Sequence, residues 1–133
     1  MTVVIDASVA LKWVMEEEGS LDARALLKSE ILAAPELMLV ECANVLAMRV
    51  RRGLLTPEHA AVRLDALLGC PVREVPSRGH LARAQALAGE LGQTVYDSLY
   101  LAVALAEGAT FITADARFFQ AAAVGYAPFL RLL

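Results

Sequence analysis

Short apolar runs with β character alternate along the chain with longer stretches in which apolar residues recur at helical spacing. Thr2-Val3-Val4-Ile5-Asp6 comes first, a run of the kind buried on both faces in a parallel sheet. Val9, Leu11, Trp13 and Val14 follow at helical spacing, until Glu16–Glu18 and Gly19 interrupt them. Ser20 reads as the cap of a second helix reaching Glu30, and Ile31–Ala34 as a brief strand ended by Pro35. Glu36–Arg52 fits a long helix closed by Gly53, with its arginines in the last turn, where the helix dipole favours cations. Thr56-Pro57-Glu58 is a helix start, with a capping hydroxyl and then proline, for a helix running to Leu68 and stopping at Gly69. Val72–Val75 is a short strand, and Ser77–Leu91 and Tyr96–Ala106 are helices closed by Gly92 and Gly108. Ala109–Thr113 is a strand leading to Asp115, Arg117–Ala122 a short helix, and Phe129–Leu133 a last edge strand.

Strands alternating with helices imply crossover units and a parallel sheet covered on both faces. The expected fold is therefore α/β, a three-layer α/β/α sandwich around a central parallel sheet, in a single domain spanning 1–133. Composition adds a second expectation. The chain is 58% hydrophobic, against about 45–50% for ordinary soluble domains. So small a domain cannot hide that excess alone, which predicts an oligomer or a tightly bound partner. Apolar positions around Leu21–Leu32 and Leu54–Leu68 are the candidates for such a surface. The longest apolar stretches, Leu37–Met48 and Leu99–Ala106, are too short to span a bilayer. No secretory pattern precedes Asp6, and Cys42 and Cys70 form no CxxC pair, so a cytoplasmic location is expected. The net charge of −3 does not favour nucleic-acid binding. Even so, Arg49, Arg51 and Arg52 cluster, and Arg78 and Arg83 share a predicted helix.

The acids carry the chemistry. Asp6 and Asp115 each follow an apolar strand and precede a helix, which places both at the carboxyl edge of the sheet; each is also a natural helix cap. Glu41 and Asn44 interrupt an apolar helix at i, i+3 spacing and so share one face. A lone glutamate there is costly to bury unless paired or bound to a metal, the alternative being a solvent-exposed face. Asp97 stands at the start of another apolar helix, with no lysine or arginine between Arg83 and Arg117 to pair with it along the chain. Carboxylates without histidine or cysteine ligands form an oxygen-only site, which favours Mg²⁺ or Mn²⁺ over zinc. A divalent cation would relieve their mutual repulsion and support hydrolysis of a phosphodiester by activated water. His59 and His80 lie on polar helical stretches away from these positions and read as surface residues. Phosphotransfer through a nucleophilic Asp6 is the competing chemistry. It needs a nearby lysine, and neither Lys12 nor Lys28, the only lysines, ends a later strand.

Asp6-Ala7-Ser8 after a strand, Glu41 with Asn44 in a helix, Tyr96-Asp97-Ser98-Leu99-Tyr100-Leu101-Ala102, and Thr113-Ala114-Asp115 occur in an order that resembles the PIN-domain family over essentially the whole chain. The length and the Arg117-Phe118 tail are similar to VapC-type toxins of toxin–antitoxin pairs. The resemblance implies an Mg²⁺- or Mn²⁺-dependent endoribonuclease, a homodimer, an RNA substrate, and an antitoxin that blocks the site. It assigns Asp6, Glu41, Asp97 and Asp115 to the metal-holding quartet, Ser8 and Thr113 to hydroxyl positions that orient water or carboxylates, and Asn44 to polar support. Some members carry a further acid just after Thr-x-Asp, where this chain has Ala116 and Arg117. One tight metal is therefore expected, with a second recruited by RNA phosphate. A PIN ribonuclease of RNA maturation or decay without an antitoxin is a close alternative. A non-catalytic PIN interaction module is another, although such modules usually lack acids that are all present here.

Overall fold

In the computed structural model, which describes residues 1–133, five strands join in one sheet. They are β1 (Thr2–Ile5), β2 (Ile31–Pro35), β3 (Val72–Val75), β4 (Thr110–Thr113) and β5 (Leu130–Leu132). Their order is β3-β2-β1-β4-β5, and every neighbouring pair is parallel. The chain steps outward from β1 to β3, then returns to lay β4 against the free side of β1. Strand order thus reverses between β1 and β4, whose register pairs Val4 with Phe111 and Ile5 with Ile112. A ligand crevice opens at such a reversal, outside the carboxyl ends of the strands.

Helices α1 (Ala7–Val14), α2 (Ser20–Ser29), α3 (Leu37–Arg51) and α4 (Pro57–Leu68) link the outward strands. Helices α5 (Leu81–Leu91), α6 (Val95–Glu107) and α7 (Ala116–Tyr126) serve the returning ones. Right-handed crossovers send the first four to one face and the last three to the other. Accordingly α1 packs against α2, α3 and α4, while α6 lies across β1, β2 and β4 with α5 against its flank. The expected three-layer sandwich is the fold observed.

β1 and β4 are central and apolar, and Val3, Val4, Ile5, Phe111 and Ile112 are all buried. Tyr100 of α6 stacks on Phe111 with centroids 5.7 Å apart and planes 12° apart, and Phe118 of α7 meets the same ring edge-on at 5.8 Å. Such pairs add about 0.5–1.5 kcal/mol beyond area burial, and here they tie both helices to the strand that carries half of the crevice. On the opposite face, α1 ends among arginines. Arg24 of α2 donates to the carbonyls of Trp13 (3.1 Å) and Met15 (3.3 Å), and Arg63 of α4 donates to that of Val14. Carbonyls that a helix end leaves unpaired are thereby satisfied by its two neighbours.

Several boundaries differ from expectation. Gly19, at φ +85°, holds the cap position of α2 instead of Ser20. Ser20 turns inward, donating to the Met15 carbonyl at 2.7 Å and accepting from the Glu17 N–H at 3.0 Å. Pro35 does not end β2 from outside; it is the strand's last residue, opposite Val75. Ser77 opens no continuous helix. Its N–H and hydroxyl donate to Glu36 at 3.2 and 3.0 Å, and a 3₁₀ turn at Arg78–His80 precedes α5. The apolar excess does reach the surface on α2 and beside and along α4, where Leu21 is 82% and Val62 67% exposed and Leu54 and Leu68 are also exposed. No helix is long and apolar enough to cross a membrane.

Candidate active site

Asp6 leaves the carboxyl end of β1 and caps α1, its Oδ1 accepting from the Val9 N–H at 3.2 Å. The capping reading of this residue is correct but incomplete. Oδ1 also accepts from the Ser8 hydroxyl at 2.5 Å, and Oδ2 accepts from the Thr113 hydroxyl at 2.6 Å. Ser8 Oγ in turn accepts from the Ala114 N–H at 2.9 Å, and Thr113 Oγ1 from the Asp115 N–H at 3.0 Å. These bonds span β1, α1 and β4 and orient the Asp6 carboxylate from both sides. Asp115 caps α7, with Oδ1 accepting from the N–H groups of Arg117 (3.0 Å) and Phe118 (3.2 Å). Both aspartates therefore combine a cap with a place at the strand-order reversal.

Asp97 lies in the first turn of α6, but the cap of that helix is Thr94, which accepts from the Asp97 N–H at 3.1 Å. Capping does not explain Asp97. Glu41 is half-buried on α3 and accepts a hydrogen bond from the Tyr100 hydroxyl of α6. Burial pushes Asp6 up to about 6, against the hydrogen bonds from Ser8, Thr113 and Val9, and the nearby charge of Glu41 raises it further. Burial also raises Glu41, opposed by the Tyr100 hydroxyl and assisted by Asp97. Asp97 is raised by burial as well, opposed by Thr94 and assisted by Asp115. The four predicted acids thus form an electrostatic chain, Asp6 to Glu41 to Asp97 to Asp115, in which each feels the next. None of the four is ion-paired to a basic side chain, and raised carboxyls such as those of Asp6, Glu41 and Asp97 are common at functional sites.

A cleft of about 460 Å³ opens on this chain, lined only by Gly92, Gln93, Thr94, Asp97, Asp115 and Arg117. No three carboxylate, imidazole or thiol groups converge as they would around an ion they all ligated directly. An oxygen-only donor set in an open cleft without apolar lining still fits Mg²⁺ or Mn²⁺, because a hydrated ion of this kind needs only one or two direct carboxylates. Asn44 makes no hydrogen bond to any of the four acids. It is exposed one turn beyond Glu41, its amide against the Met48 sulfur at 3.7 Å. His59 is exposed and His80 partly so, as expected for surface residues. Lys12 is engaged at the end of α1 by Glu17 and the Glu18 carbonyl at 3.2 and 2.7 Å. The residue that sequence reasoning left unassigned is Tyr100. Its signals were its place in the Tyr96–Ala102 motif and its being a polar aromatic inside an otherwise apolar helix segment, three residues after Asp97.

The family profile described as the PIN domain matches residues 3–124. Ribonuclease VapC3 from Pyrobaculum aerophilum is 36% identical over 118 residues, covering 86% of this chain and 90% of the relative. Among solved structures, PAE2754 from the same organism superposes with a TM-score of 0.71 at 25% identity, over 91% of this chain and 79% of its own. VapC20 from Mycobacterium tuberculosis, described as a sarcin-ricin-loop-cleaving toxin, has a TM-score of 0.68 at 16% identity, over 90% and 94% of the two chains. VapBC2 from Rickettsia felis, solved with a DNA fragment of its promoter, has a TM-score of 0.66 at 16% identity, over 100% and 98%. The last two show a shared fold.

Proposed function

Because the chain belongs to the PIN-domain family, with a VapC-type relative matching it along most of its length, we propose that it is a divalent-metal-dependent endoribonuclease and the toxin of a toxin–antitoxin pair. The observation that supports this reading is the chain of mutually interacting acids from separate elements, none of them ion-paired, with Asp6 and Asp115 following the two strands between which strand order reverses. Asp6, Glu41, Asp97 and Asp115 would hold Mg²⁺ or Mn²⁺, directly or through its waters. Bound there, the ion would activate a water for attack on phosphorus and stabilise the oxygen that leaves. Ser8 and Thr113 keep both Asp6 oxygens in place. Arg117, the only cation lining the cleft, is positioned to meet a substrate phosphate. It stands where some relatives carry another acid, which favours one tightly held ion and a second that arrives with RNA. The exposed apolar residues of α2 and near α4 suit a homodimer contact and an antitoxin groove.

The decisive experiment compares wild type with Asp97→Asn on total RNA after brief expression, and repeats the cleavage with purified protein. Discrete cleavage sites are expected for wild type with Mg²⁺ or Mn²⁺, and none in excess chelator or with Asp97→Asn. Full activity in chelator would sink the metal-dependent mechanism. An adjacent reading frame encoding a small DNA-binding protein would distinguish a toxin from an RNA-maturation enzyme.

A further inference from the structure

We propose that Tyr100 is a positioning residue for the site, holding the Glu41 carboxylate in place through its hydroxyl; this rests on the nuclease reading above. The two residues lie 59 positions apart, on helices α3 and α6 of opposite layers, and the hydroxyl donates to Glu41 Oε1. Tyr100 is only 1% exposed, and its ring lies flat on Phe111, itself held by Phe118. A ring so confined has little rotational freedom, so its hydroxyl is a fixed point. Tethering one oxygen of a carboxylate at a fixed point places the other at a defined position.

Core packing alone would not require this hydroxyl. Phenylalanine fills the same space against Phe111 without the burden of a buried polar atom. Tyr100 also sits three residues after Asp97 on α6, a spacing that puts both on one helix face. A single helix thereby supplies one acid directly and fixes a second through a hydrogen bond.

The test uses the whole chain as wild type, Tyr100→Phe, Glu41→Ala and the double variant. Circular dichroism checks folding, titration calorimetry measures Mn²⁺ binding without RNA, and kcat and KM are measured on an RNA oligonucleotide. Tyr100→Phe is expected to fold, to weaken Mn²⁺ binding or lower kcat by about 10–100-fold, the range for losing a partner behind a metal ligand, and to leave KM nearly unchanged. In the Glu41→Ala background it should cost nothing further. A folded Tyr100→Phe with wild-type Mn²⁺ affinity and kcat overturns the proposal. An equal loss in the Glu41→Ala background, or failure of Tyr100→Phe to fold, does the same by assigning the hydroxyl to structure alone. If wild type binds Mn²⁺ but cleaves no RNA, the nuclease reading falls while the titration still decides the role of Tyr100.

Discussion

Asp6 caps a helix, bridges two strands through Thr113, and faces a second acid, and these roles compete for one carboxylate. Its ordinary value of 3.8 rises to about 6 in the fold, chiefly through burial. Between those two values the folded chain holds a proton that the unfolded chain has released. The associated stability is therefore present at low pH and is lost as pH rises through about 6. In chelator, the urea midpoint of wild type relative to Asp6→Asn should fall between about pH 4 and pH 7. Adding Mg²⁺ at the upper end should restore part of it, because a cation stabilises the ionised form. A pH-independent difference between the two proteins would remove burial of Asp6 as the cause.

At the scale of elements, α6 bears the densest set of constraints, and one of them is a cost. Ser98 is fully buried and its hydroxyl has no partner. Replacing it with alanine removes an unsatisfied polar atom and improves helix propensity, so Ser98→Ala should stabilise by about 1 kcal/mol. That corresponds to a rise of a few degrees in the thermal midpoint, measurable by calorimetry. A lower midpoint would mean that the hydroxyl has a partner after all. The elements themselves were largely legible, because β1 and β4 are short apolar runs and Thr56-Pro57 has the chemistry of a helix start. Ser20 misled because serine satisfies its hydroxyl equally well at a cap or turned back on the preceding turn, and Gly19 takes the left-handed backbone. Asn44 shares a helix face with Glu41 in sequence, but it is exposed, with its amide against the Met48 sulfur, and spacing along one helix does not encode that exposure. The Tyr100–Glu41 bond was illegible because it joins residues of two helices 59 positions apart, which no local pattern links.

At the scale of the whole molecule, the surplus of apolar residues is real surface. Leu21, Leu54, Val62 and Leu68 are exposed on or near two helices of the same layer, and the Arg24 and Arg63 contacts with α1 bind that layer into one unit. Light scattering of the purified chain should give about twice the 14.2 kDa mass of one chain. A stable monomer without a partner would count against a self-association role for this layer.

The bond between Thr113 and Asp6 joins positions 107 residues apart. A carboxylate at the end of β1 is thus oriented by a hydroxyl on β4, and Asp115 follows two residues later. During synthesis, the first strand and all four helices of one layer are made before Thr113 or Asp115. The crevice cannot be completed by a partial chain, because β4 forms one of its walls. The Asp6 carboxylate therefore lacks this partner until β4 has been made and has paired with β1.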